Sequence, residues 1–142
     1  MNAVYLKSNK LKPIKHRHPW LFSGAIEKVD GQPEPGEVLE IKDATGEFLA
    51  WGYYNPHSQI ALRLLEWEQS HEISEDWWQQ KLEEAIGRRG NLLNRHDSNA
   101  VRLVNAESDM LPGLIVDKYA EFIVLQSMPA GIERVKQLIV EN

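Results

Sequence analysis

From residue 37 to residue 66 apolar side chains recur at every second position on both sides of tight turns, and no other feature constrains the fold as much. Val38, Leu39 and Ile41 precede the turn at Ala44-Thr45-Gly46, and Phe48, Ala50 and Gly52 alternate after it. Beyond the turn-forming "NPHS" of residues 55–58, Ile60, Leu62 and Leu64 alternate with Ala61, Arg63 and Leu65. A period of two sends successive side chains to opposite faces of a strand, whereas a helix needs apolar residues three and four apart. This stretch is a hairpin followed by a further strand. Upstream, "AVYLK" alternates as an opening strand, "AIEKVDG" is a second strand ending in a turn, and "GQPEPG" is a loop by composition. Between them, "HPWLFSGAI" has Pro19 at a first helical position, one aromatic turn and Gly24 as a stop. Residues 1–69 are thus expected to form about five short strands and one helical turn, as a small β-barrel or a sheet curled on itself.

The pattern changes across residues 68–74. Ser74 can cap a helix, Glu75 and Asp76 suit its positive end, and Trp78, Leu82, Ala85, Ile86 and Leu93 fall on one face. Gly87 and Gly90 weaken its second half by ~1 kcal/mol each relative to alanine. A polar loop at 94–99, the strand "AVRLVNA", two apolar runs around a polar turn at 117–121 and a final amphipathic helix with Ile132, Val135, Leu138 and Ile139 complete the order. Residues 70–142 are accordingly a partial α+β domain, and the absence of a capping glycine at the last helix suggests that more chain normally follows. Glu107, Asp109 and Asp117 could be an acid cluster, but "ESDMLPG" is better explained as a turn, with Pro112-Gly113 at its centre. The adjacent pairs Tyr53-Tyr54 and Trp77-Trp78 place one ring on either side of their elements, leaving one of each pair partly exposed.

Charge is unevenly spread. The chain has a formal charge of -5, yet its first 26 residues hold five cations (Lys7, Lys10, Lys12, Lys15 and Arg17) and no acid. Residues 27–69 hold three cations against nine acids, and residues 70–142 hold eight against twelve. A single-sign arm on an acidic body can bind phosphates locally; the plain alternative is a solvated basic tail. Lys12, Lys15, His16 and Arg17 are expected on the surface, and Trp20 can stack on an unpaired base, although burial is the simpler expectation for both Trp20 and Phe22. Arg63 is either an outward strand cation or an RNA contact. His16 and His18 with His57 leave zinc short of ligands. There is no cysteine, which excludes disulfides and thiolate sites. No apolar run approaches the ~20 residues of a membrane span, and no secretory signal is visible, so a cytoplasmic protein is expected.

Three ordered motifs go further than this. "HPWLFSGAI" and "GEVLEIKDATGEFLAWGYYNPHSQIALRLL" resemble the N-terminal PUA domain of the rRNA large subunit methyltransferase I family, S-adenosylmethionine-dependent enzymes that make 5-methylcytosine in ribosomal RNA. "ESDMLPGLIVDKY" resembles the start of that family's central domain, with Met110 where the family more often has glycine. The resemblance implies a catalytic, Rossmann-like methyltransferase domain that is missing here. No glycine fingerprint for the cofactor is present, and neither is the cysteine that adds to the base. The expectation is an RNA-recognition fragment, with ribosomal RNA as partner, no cofactor in this chain, and S-adenosylmethionine (SAM) implied for the full-length enzyme. Were the basic arm only a solvated face, the resemblance would place the RNA surface around Arg63 and Asn55. The alternative is a stand-alone PUA-type RNA-binding or interaction module with no catalytic partner domain.

Overall fold

The computed structural model describes residues 2–90 and 100–127, with residues 132, 136, 137, 139 and 140. It divides into two compact units, Met1–Ile73 and Ser74–Asn142, taken here one at a time. The expected loop at 94–99, Leu93, and Val135 and Leu138 of the final helix lie outside the described residues.

The first unit contains β1 (Ala3–Leu6), α1 (Lys12–Lys15), β2 (Trp20–Phe22), β3 (Ile26–Asp30), β4 (Glu37–Lys42), β5 (Phe48–Tyr54) and β6 (Ile60–Glu66). The six strands form one sheet in the order β2-β6-β5-β4-β1-β3, antiparallel except for the parallel β1–β4 pair. Its two edge strands, β2 and β3, are consecutive in the chain and joined only by a 3-10 turn at Ser23–Ala25. The step from Phe22 to Ile26 spans at most about 14 Å, whereas six strands laid flat are about 24 Å wide. The sheet therefore has to curl back on itself, although no ladder joins its edges. Curling turns one face inward. Val4, Leu6, Leu21, Leu39, Ile41, Ala50, Leu62 and Leu64, from five of the strands, gather with Ile14 of α1 in a single core.

Two expectations change here. Residues 20–22 are a strand, and the helical turn lies earlier, at "KPIK", where Pro13 takes the first-turn position that Pro19 was expected to fill. Leu21 is buried between outward neighbours, and the Leu64 N–H donates to the Pro19 carbonyl at 2.7 Å, so the β2–β6 ladder captures the segment. Phe22 is 56% exposed and Trp20 half-buried, so neither is a full core residue. The predicted hairpin turn does form. The Asp43 carboxylate accepts from the Thr45 and Glu47 N–H groups at 2.8 and 3.0 Å, and Gly46 has φ +97°. At Gly52 β5 lies close to β6: a Cβ there would lie 2.7 Å from the Arg63 carbonyl oxygen.

The second unit contains α2 (Glu75–Gly87), β7 (Ala100–Asn105), β8 (Leu114–Tyr119) and β9 (Phe122–Ser127), with the strands antiparallel in the order β7-β8-β9. Ser74 caps α2 by accepting from the Trp77 N–H at 3.2 Å. Trp78, Leu82 and Ala85 are buried as the periodicity requires. Trp77 is buried too, against the expectation for the tryptophan pair; the two rings meet edge to face at 5.0 Å. The hairpin turn is tighter than the charges suggested. Asp117 is inside β8, buried, and held across the ladder by Arg102 at 2.8 Å. Leu111 to Leu114 is the expected tight turn, closed at 3.1 Å with Gly113 at φ +83°. Asp109 does more than start a loop: it is buried, and Arg88 and Arg89 donate to its carboxylate at 2.8 and 2.7 Å.

Candidate nucleic-acid interface

Lys12, Lys15, His16 and Arg17 are all exposed on α1 and the turn that ends it. A four-residue helix does not hold itself, because it has too few internal hydrogen bonds to offset nucleation. Three contacts hold this one. Ile14 is buried in the core, its carbonyl accepts from the Trp67 indole N–H at 3.1 Å, and the His18 N–H donates to the Pro13 carbonyl at 2.9 Å. Arg17 takes a left-handed conformation, φ +57°, which ends the helix and brings its guanidinium to 5.6 Å from the centre of the Trp67 ring. Among the described residues, Lys12, Lys15 and Arg17 form no ion pair. Their charge is therefore available to an incoming anion.

Trp20 and Arg63 face each other across the β2–β6 ladder, with the guanidinium carbon 5.6 Å from the ring centre. Such a contact contributes ~0.5–1 kcal/mol at an exposed site and fixes both groups in place. The His18 and Trp20 rings meet edge to face with centroids 6.1 Å apart, and His18 Nδ1 accepts from the Trp20 N–H at 3.1 Å. Asn55 is placed differently. It opens the β5–β6 turn, where its side-chain oxygen accepts from the His57 N–H at 3.0 Å and its own N–H donates to the Ala61 carbonyl at 2.8 Å. Its polar atoms thus shape the turn, which adjoins β2 through the Ser23 N–H to Gln59 carbonyl bond of 2.9 Å.

The structure brings Trp20 to Arg63 and Arg17 to Trp67, two pairings that sequence reasoning did not make. Trp67 carried no motif or charge that could tie it to residue 14, 53 positions away. Phe22 turns outward only because residues 20–22 form a strand with Leu21 inward, which the reading of a helical turn does not supply. Beside β2 lies a cleft of about 360 Å³, lined among others by Lys10, Pro13, His18, Trp20, Phe22 and Gly24. No cluster of three potential metal ligands occurs among the described residues, and no helix there is long and apolar enough to cross a membrane.

Residues 4–67 match the PUA-like domain family. Over 139 residues the chain is 40% identical to ribosomal RNA large subunit methyltransferase I of Aliivibrio fischeri, a match covering 98% of this chain and 35% of the relative. The same enzyme of Tolumonas auensis is 42% identical over 131 residues, covering 92% of this chain and 33% of the relative. Among solved structures, a candidate SAM-dependent methyltransferase from Streptococcus mutans superposes with a TM-score of 0.84 over 99% of this chain and 36% of that one. At 17% identity that likeness establishes shared fold alone. Residues 4–67 are therefore a PUA-like domain, and the chain as a whole matches the N-terminal part of ribosomal RNA large subunit methyltransferase I, of which it spans about a third.

Proposed function

We propose that this chain is the RNA-recognition part of a SAM-dependent ribosomal RNA (cytosine-5) methyltransferase. Residues 1–69 hold structured ribosomal RNA, and residues 70–142 link that module to a catalytic domain, so that one cytosine is presented to it. The observation that carries this reading is the exposed set Lys12, Lys15 and Arg17, without an ion pair among the described residues, on a helix pinned to the sheet by Ile14 and Trp67. Cations that release counterions from phosphates supply affinity, and a rigid mount fixes the register in which the RNA lies. His16 adds a donor beside them, Trp20 and Arg63 form the adjoining wall, and Asn55 marks the turn that continues it.

The chemistry belongs to the remaining two thirds of such a protein. Gly31, Gly36, Gly46 and Gly113 have positive φ, but each lies in a turn leading toward a strand. SAM is usually cradled where a strand runs through glycines into a helix, so these residues do not fit that cofactor. This chain also lacks the cysteine that would add to the cytosine ring. Recognition here and catalysis elsewhere in a cytoplasmic enzyme is the division of labour that follows.

Reversing Lys12, Lys15 and Arg17 to glutamate together tests it. Filter binding of ribosomal RNA across a salt series should show weaker binding, with a salt slope flatter by about two to three units, since each lost phosphate contact removes ~0.7–0.9. A circular dichroism spectrum like the parent's should accompany the loss. Equal binding by the triple variant at every salt concentration would sink the assignment of this surface.

A further inference from the structure

We propose that the cleft beside β2 takes one unpaired base of the bound RNA, stacked on the ring of Phe22. This rests on the RNA-binding reading above and makes it more specific, because a base inside a duplex has no free face to offer.

Phe22 presents the first argument. Its neighbour Leu21 is 1% exposed and anchors the strand, whereas Phe22 is 56% exposed, and among the described residues neither a ring nor a cation stacks on it. Trp20 does not offer the same platform, since Arg63 lies over its ring and the His18 ring packs edge to face with it. It serves as a wall of the cleft. Pro13 forms part of another side, and at Gly24 an added Cβ would meet no atom within 4 Å, so the space is open at that point.

Size and charge narrow the occupant. A volume of about 360 Å³ lies at the lower end of the ~300–1,000 Å³ of small-molecule sites, which suits one base with part of its ribose. Lys10 lines the same cleft and can meet the phosphate of that nucleotide. With Nδ1 accepting from the Trp20 N–H, the His18 ring keeps Nε2–H as a donor for a base edge. An apolar peptide side chain would gain nothing from the five cations and no acids of residues 1–26, whereas a base arrives flanked by phosphates.

The test compares two RNA hairpins of one stem sequence, one fully paired and one carrying a single bulged 2-aminopurine, against the 142-residue chain and two variants. Phe22→Ala removes the platform, and Gly24→Leu fills the cleft without a backbone clash. The parent should bind the bulged hairpin about five- to one-hundred-fold more tightly than the paired one, with quenching of 2-aminopurine fluorescence. Both variants should lose that preference and the quenching, while keeping the parent's affinity and salt slope for the paired hairpin. Equal binding of the two hairpins by the parent, or a preference that survives in both variants, overturns the base pocket and leaves the phosphate-binding face intact. Failure of the parent to bind either hairpin overturns both readings together.

Discussion

Met110 offers a test of backbone strain whose sign is diagnostic. It ends the 3-10 turn Ala106–Asp109 at φ +60°, ψ +28°, in the left-handed region. There the Cβ of an L-residue crowds the following carbonyl, at a cost of roughly 1–2 kcal/mol. Replacing Met110 by glycine also deletes a side chain that is 37% exposed, so the substitution mixes strain relief with lost packing. The useful comparison is Met110→Gly against Met110→Ala, because both remove the same packing beyond Cβ and only alanine keeps the strain. Glycine gains the roughly 1–2 kcal/mol of relief and gives back about 0.4–1 kcal/mol through the greater freedom of its unfolded chain. The glycine variant should be more stable than the alanine variant by about 0.5–1 kcal/mol. At an ordinary strand or helix position the order is reversed by a similar amount. Urea unfolding followed by circular dichroism, with equal slopes for the two variants, measures the difference. A midpoint higher for alanine than for glycine would refute the left-handed geometry at residue 110.

Two further substitutions address the framework. Burial raises the pKa of Asp109, but hydrogen bonds from Arg89 and then Arg88, with the Asn105 N–H, outweigh it and hold the carboxyl below its ordinary value of 3.8. Its contribution is fully present above that value and is lost as pH falls through the lower folded one. Asp109→Asn should cost about 3 kcal/mol at neutral pH, and the difference from the parent in urea unfolding should shrink as the pH is lowered through that range; a constant difference would count against it. Gly52→Ala should cost about 1–3 kcal/mol, because the added methyl meets the Arg63 carbonyl, and an unchanged unfolding midpoint would contradict the closeness of β5 and β6.

Period-two alternation made β4, β5 and β6 legible in the sequence, and the capping Ser74 with its acidic first turn made α2 legible too. In each case the signal is local, so no tertiary information is needed to read it. "HPWLF" was misread for the same reason. A proline before an aromatic pair satisfies the local rule for a helix start, but the segment pairs with β6, about forty residues away, and that ladder decides its structure. Trp67 and Asp109 mark the limit more plainly. One anchors α1 and the other is held by two arginines, and both depend on partners that only the folded chain brings near. Within the candidate interface, the cations were legible from their one-sided charge. The outward ring of Phe22 required knowing that residues 20–22 form a strand.

An acidic protein can carry a phosphate-binding face of the kind proposed for α1 only if its own carboxylates leave that face alone. Four of the acids have work elsewhere: Asp43 closes its own turn, Glu37 accepts from Asn2, and Asp109 and Asp117 take arginines in the second unit. Among the described residues no acid forms an ion pair with Lys12, Lys15 or Arg17. At physiological salt, exposed charges farther apart than ~8 Å are largely screened, so RNA approaching α1 responds to the arm and only weakly to the net charge of -5. Screening also weakens the attraction, which leaves phosphate contacts to set orientation and a base contact to discriminate among RNAs. A basic arm without a pocket would bind any structured RNA alike, and a pocket without the arm would bind too weakly to select. On the proposed reading, their adjacency on α1 and β2 lets one small PUA-like unit do both.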